Sequence, residues 1–201
     1  MKKTIKVFVI GIILLSCKTI NIAQSNRSVF LEKWRDASYK SISDQMVIYK
    51  NDSVFIKSLI NTKTSLLSSS EDHGLRKYFY DSCLKNNDKI FGNEFYILET
   101  RTRGEVMQFD FYVQSKQKHH KTLHYNSGKS CLLLGEKNVE INEHYSLEKI
   151  FNENNPAICS DYFPLDAFII SHFENDQVVS KVYSLPCKET LYILGQTIKL
   201  F

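Results

Sequence analysis

The chain has 201 residues, of which 43% are hydrophobic and 12% aromatic, and its 26 basic and 22 acidic residues give a formal charge of +4. With 7 glycines and 3 prolines, it is neither a disordered tether, a collagen-like stalk nor a many-turned β-sandwich, and its length suits one domain. Lys2, Lys3 and Lys6 precede an apolar run, and their removal leaves 23 basic residues against 22 acids. This near-neutral remainder gives no electrostatic case for binding nucleic acid.

The first 17 residues follow the order of an export signal. A start containing three lysines leads into the apolar run 7–15 (VFVIGIILL), and residues 14–17 read LLSC. The apolar run is well short of the ~20 residues that span a hydrocarbon core. It therefore favours transient insertion and cleavage over a permanent membrane span.

This segment resembles the signal of bacterial lipoproteins. Leu14 and Leu15 match the apolar positions of the lipobox, and Ser16 matches the small residue before the cut. Cys17 would then become the new N-terminus, and the resemblance implies a diacylglyceryl thioether on it, often with a further acyl chain on its amine. Two or three chains anchor stably because each buried CH₂ contributes roughly 0.8 kcal/mol. Lys18 replaces the aspartate that implies inner-membrane retention in the enteric family, which favours the outer membrane if the cell has two.

The resemblance covers only residues 1–17. It divides the chain into a signal peptide at 1–16, a lipidated tether at 17–27 and one domain at 28–201. Simple secretion and an uncleaved anchor are the alternatives. A conventional cut after Ala23 would place Asn21 where a small residue is preferred.

Three amphipathic helices are predicted in the first half of the domain. Apolar residues recur at near-helical spacing over 28–50, over 53–67 and from 75 to about 86. The intervening segments are polar, and the second of them ends in the glycine at position 74.

The second half predicts a mostly antiparallel sheet with one helical interruption. The run 105–115 alternates apolar and polar residues, which is typical of a half-buried strand, and it forms a hairpin with 94–102. A short helix begins after Ser146. Further strands are predicted at 119–125, 131–134, 139–141, 168–173, 178–185 and 191–201. This order predicts an α+β fold, with the N-terminal helices packed on the sheet.

Four cysteines, Cys83, Cys131, Cys159 and Cys187, follow Cys17. An even number in an exported chain predicts two disulfides with three possible connectivities. Buried free thiols are the alternative. There is no CxxC motif, so neither a redox pair nor a zinc knuckle is indicated.

The histidines are the densest group of potential metal ligands. In a strand, His120 and His124 would lie about 13 Å apart, which is too far for one metal ion. In a helix they would be at i and i+4 and could chelate zinc with a third ligand such as His144. The lysines before His119 favour exposed polar histidines, so we predict no metal site and no cofactor.

Asp110 is the other weak candidate. It lies on the polar face of an otherwise aromatic strand, near Arg101 and Arg103. A cross-strand ion pair is the ordinary explanation, and a carboxylate in a cleft is the functional one.

These patterns support three hypotheses about function. The first is a non-enzymatic envelope lipoprotein, held to a membrane by acyl chains on Cys17, that binds a protein partner or has a structural role. The second is an exported hydrolase that uses side chains in a cleft on the sheet. Its candidates are Asp110, His120, His124 and His144. The third is a small-molecule carrier with an aromatic-lined pocket.

The disulfides can be tested by peptide mapping of the protein without reduction. We expect the four cysteines after Cys17 to appear as two linked peptide pairs, with each bridge stabilising the fold by about 2–4 kcal/mol. The same digest after reduction is the control. Four free thiols before reduction would contradict the prediction.

Overall fold

A computed structural model describes residues 27–68, 74–85, 94–102, 108–115, 122–126, 132–134, 146–153 and 167–199. The predicted signal peptide, Cys17 and the tether up to residue 26 lie outside the described residues. Arg27, the last residue of the predicted tether, is helical. Arg27 pairs with Asp81 at 3.1 Å.

A six-stranded antiparallel sheet forms the centre of the molecule. Its strands are β1 Glu94–Thr102, β2 Gln108–Ser115, β3 Thr122–Asn126, β4 Leu132–Leu134, β5 Phe168–Glu174 and β6 Gln177–Tyr183. They lie in the spatial order β4-β3-β2-β1-β5-β6, and each neighbouring pair is antiparallel. β1 therefore joins the hairpin β5–β6 to the meander β2–β4.

Helices precede and follow the sheet in sequence. They are α1 27–48, α2 Ser53–Thr62, α3 Leu75–Phe79, α4 Leu147–Glu153 and α5 Lys188–Lys199. π-Helical turns at Lys63–Ser68 and Tyr80–Leu84 continue α2 and α3.

Among the described residues, no helix combines the length and the apolar character that crossing a membrane requires.

The N-terminal helices cover one face of the sheet, here called the α1 face. α1 buries Trp34 and Ile42 on one stripe, as its near-helical apolar spacing predicted. α2 begins at Asp52, whose carboxylate accepts a hydrogen bond from the Phe55 backbone N–H at 2.9 Å. Two apolar clusters join these helices to alternate residues of the central strands, such as Ile97 in β1. The predicted packing of N-terminal helices on an antiparallel sheet is confirmed.

The opposite face, here called the α4 face, is covered by α4 and α5. Leu98 and Ile170 of the sheet pack there with Ile150 of α4 and Leu194 of α5. The sheet is therefore a middle layer between two layers of helices. This arrangement is still α+β, as predicted.

Two sequence expectations need correction. The segment 191–201 was predicted to be a closing strand, but Lys188–Lys199 is helical. Its apolar residues follow the helical period, with Leu194 buried and Tyr192 exposed. On the polar face of β2, Gln114 is buried rather than solvent-facing, because it is 4% exposed and accepts a hydrogen bond from the Leu147 N–H of α4 at 2.7 Å. The predicted strand at 139–141 lies outside the described residues.

A buried ion pair joins α3 to the sheet beneath α1. Arg76 binds Glu99 through two hydrogen bonds, at 3.0 Å from Nε and 2.6 Å from Nη2, and their side chains are 3% and 2% exposed. Nη2 also donates to the Ser38 hydroxyl at 3.0 Å, and the guanidinium lies 4.3 Å from the centre of the Trp34 ring. Trp34 Nε1 in turn donates to Ser171 on β5 at 2.9 Å. This network connects α1, α3, β1 and β5.

We expect Glu99→Gln to destabilise the domain by about 3–5 kcal/mol, because it leaves the Arg76 charge buried without its counter-charge. Urea unfolding followed by circular dichroism measures the change. The double variant Arg76→Met/Glu99→Leu removes both charges and should recover most of the loss. If the double variant is as unstable as Glu99→Gln, the buried charge is not the cause.

Candidate functional site

The β5–β6 hairpin forms the end of the sheet where the candidate site lies. Its two-residue turn, Asn175-Asp176, has φ angles of 46° and 66°, as in the tight turns that suit twisted hairpins. Glu174 and Gln177 face each other across the turn. The start of α1 reaches this turn, since Lys33 Nζ donates to the Asp176 carbonyl oxygen at 2.9 Å.

On the α1 face, a half-open cavity of about 650 Å³ lies beside this turn. This volume is within the range of small-molecule sites. Its apolar wall includes Phe30, Phe95 and Phe173, and its rim includes Lys33 and Glu174. The cavity thus offers aromatic surface at its wall and charged groups at its mouth.

The aromatic wall is built from stacked rings. Phe173 stacks on Phe30 at 5.0 Å and on Phe95 at 4.8 Å, with interplanar angles of 13° and 8°. Trp34 meets Phe173 edge-on at 5.7 Å from behind the wall and is fully buried. Each such ring pair contributes about 0.5–1.5 kcal/mol beyond its buried area, so the wall is rigid.

On the α4 face of the same hairpin, three potential metal ligands converge. Glu94 lies directly opposite Glu174, and the neighbouring register pair is Tyr96 and His172. Because side chains two residues apart share a face of a strand, both carboxylates and the imidazole project from one side of the sheet. One ligand atom from each of Glu94, His172 and Glu174 lies within 4.8 Å of the other two. The Nε2 of His172 is 3.2 Å from Oε1 of Glu94.

The imidazole is held by aromatic contacts. His172 stacks on Tyr96, with ring centroids 4.4 Å apart and an interplanar angle of 11°. The ring of Phe151 in α4 lies 5.7 Å from the imidazole. These contacts fix the plane of the imidazole, while Glu174 remains exposed. The site is therefore ordered on its aromatic side and open toward solvent.

The sheet also holds the end of α4 in place. The buried Tyr183 hydroxyl donates to the Ile150 carbonyl at 3.2 Å, and Lys181 Nζ donates to the Phe151 carbonyl. Burial raises the pKa of Tyr183 far above its usual value and lowers the pKa of Lys181. These bonds satisfy carbonyls that the helix leaves unpaired at its C-terminus. They keep Phe151 beside His172.

The residues chosen from the sequence do not form this site. Asp110 lies in β2 opposite Thr100, which is six residues or about 20 Å along β1 from Glu94. His124 lies in β3 opposite Tyr112, in a strand as the sequence predicted. His120 and His144 lie outside the described residues. Asp110 pairs with Asn126, two residues along β3 from His124, so the register makes Asp110 and His124 diagonal neighbours on one face of the sheet, away from Glu94.

Of the four cysteines in the predicted disulfides, the structure describes two. Cys83 is fully buried in the core of the α1 face, and Cys187 is half-buried just before α5. Cys131 and Cys159 lie outside the described residues, so the two disulfides stay a prediction.

Sequence reasoning missed the group formed by Glu94, His172 and Glu174. A weak signal was present, because His172 lies in a predicted strand, Glu174 directly follows that strand, and Glu94 is the first residue of another. Their convergence depends on the register of β1 against β5, two strands that are more than 60 residues apart in the sequence. Neither composition nor spacing gives that register.

Comparison with known proteins gives no relative: no family model, no curated protein and no solved structure matches this chain.

Proposed function

We propose that this chain is a lipid-anchored protein of the bacterial cell envelope with a binding role. In this proposal, acyl chains on Cys17 attach the α+β domain to a membrane surface. The observation that carries it is the lipobox-like order of residues 1–17, from the lysine-containing start to the LLSC boundary. A protein partner in the envelope fits the same anchoring, and the outer membrane is favoured if two are present.

The position of the cavity supports a binding role near the anchor. Arg27 is the tenth residue after Cys17, and a chain of that length reaches at most about 35 Å. Val29, Phe30 and Lys33 follow directly on the tether and contribute to the cavity. The cavity therefore lies within tether reach of the bilayer surface.

The chemistry of the cavity favours an amphipathic small molecule. The stacked rings of Phe30, Phe95 and Phe173 provide an apolar surface, and burying a ligand's apolar area there is favourable at about 25 cal/mol per Å². Lys33 at the rim offers a hydrogen bond to a polar group. The ligand we propose is lipid-like, with its apolar part against the rings.

Acylation of Cys17 is tested by labelling cells that express the chain with radioactive palmitate. We expect label in the wild type and none in Cys17→Ala, because the thioether forms on that sulfur. Thr19→Ala, two residues beyond the boundary, is the matched control and should be labelled like the wild type. Equal label in wild type and Cys17→Ala, or none in either, would refute the anchor.

Ligand binding in the cavity is tested with a fluorescent fatty-acid analogue and the full chain in detergent. We expect Val29→Glu to weaken binding about tenfold, because it places a carboxylate beside the aromatic wall and removes roughly 1.5 kcal/mol of apolar contact. Val54→Glu is the matched control, since both valines are exposed on helices but only Val29 contributes to the cavity. Equal affinity in the two variants, or no binding by the wild type, would reject the cavity as the site.

A further inference from the structure

Glu94 and Glu174 form a like-charge pair at the end of the β1–β5 strand pairing. They face each other directly in the register of β1 and β5. Carboxylates opposite each other on neighbouring strands repel, whereas opposite charges at such positions attract. A cation bound between the two carboxylates would convert this repulsion into attraction.

His172 supplies a third ligand of a different chemical type. Its Nε2 already lies 3.2 Å from Oε1 of Glu94, and one ligand atom from each residue falls within 4.8 Å of the other two. Ligand atoms around a tetrahedral ion with bonds of about 2.1 Å are roughly 3.4 Å apart. The closure required is therefore at most about 1.4 Å, which rotation of the exposed Glu174 side chain can supply.

We propose that Glu94, His172 and Glu174 bind one divalent transition-metal ion of the Zn²⁺ class. One imidazole nitrogen and two carboxylate oxygens suit Zn²⁺ and its neighbours in the first transition row. Ca²⁺ takes six to eight oxygen ligands and Mg²⁺ prefers oxygen and water, so both fit this set poorly. Three protein ligands leave at least one coordination position for water or a bound molecule, as in catalytic zinc sites.

The surroundings of His172 make the site more ordered than a surface group of side chains. The stack on Tyr96 and the contact with Phe151 hold the imidazole plane on a strand of the central sheet. His172 and Glu94 are 17% and 27% exposed in their side chains. Two of the three ligands are thus positioned before the ion arrives, which reduces the entropy lost on binding.

The site is tested by titrating the chelator-treated full chain, purified in detergent, with ZnCl₂ in a calorimeter. We expect one ion per chain. His172→Phe should keep the ring stack on Tyr96 but remove the nitrogen ligand, and Glu174→Gln should remove one charged ligand. Removing a residue that only hydrogen-bonds to a metal ligand already lowers metal affinity about 10–100-fold. Removing a ligand itself should therefore lower the Zn²⁺ affinity of each variant at least ~100-fold.

Asp44→Asn is the matched control, because Asp44 is an exposed carboxylate in a surface ion pair with Lys40. It should bind Zn²⁺ like the wild type. Equimolar MgCl₂ should not displace the ion. No Zn²⁺ binding by the wild type, or unchanged binding in His172→Phe and Glu174→Gln, would overturn the proposal.

Thermal unfolding without metal gives an independent readout. Glu174→Gln should melt above the wild type when no metal is present, because the variant removes the repulsion from Glu94. With Zn²⁺ in excess the order should reverse, since the ion stabilises only the chain that binds it. A lower melting temperature for Glu174→Gln in both conditions would contradict a metal site. Glu174 also borders the cavity, but His172 does not. Neither experiment involves Cys17, so failure of the anchor leaves this proposal intact.

Discussion

The buried pair of Arg76 and Glu99 is the constraint on which the rest of the domain depends. Removing two charges from water costs several kcal/mol per ion, and only close, well-oriented partners offset that cost. Arg76 meets the requirement with two hydrogen bonds to Glu99, one to Ser38 and a stacking contact with Trp34. Since these partners belong to β1 and α1, the contacts of one guanidinium fix α3, β1 and α1 relative to one another.

That constraint extends to the end of the molecule where both proposed sites lie. Trp34, held by Arg76 and by Ser171, sets the position of α1 along the sheet. The first turns of α1 then place Phe30 against Phe173 and Lys33 against the β5–β6 turn. The cavity on the α1 face is consequently a product of the same network, although its members are more than one helical turn away from it.

The local pattern of the sequence predicted where helices and strands lie better than it predicted which of their residues are buried. The apolar period gave α1 and α2, and alternation gave β2 and the β5–β6 hairpin. The apolar pattern failed where a short run fits both periods. Residues 191–194 (LYIL) suggested a strand, but they lie in a helix that buries Leu194 against the sheet. It also could not reveal that α4 covers the polar side of β2, because Gln114 is buried by a hydrogen bond to a helix 33 residues later. The polar character of Gln114 therefore predicted a solvent-facing position where the structure has a buried one.

The candidate sites were beyond the reach of the sequence because both depend on one strand register. Adjacent residues of β1 and β5 point to opposite faces, so the pairing that turns Phe95 and Phe173 toward the cavity also turns Glu94 and Glu174 toward His172. A shift by one residue would exchange the faces and remove Ile97 and Ile169 from the apolar clusters of the α1 face. Burying each such side chain is worth about 1.5–3 kcal/mol, whereas a cross-strand charge pair changes stability by only about 0.2–1 kcal/mol. The apolar core therefore sets the register, and the carboxylate pair follows from it.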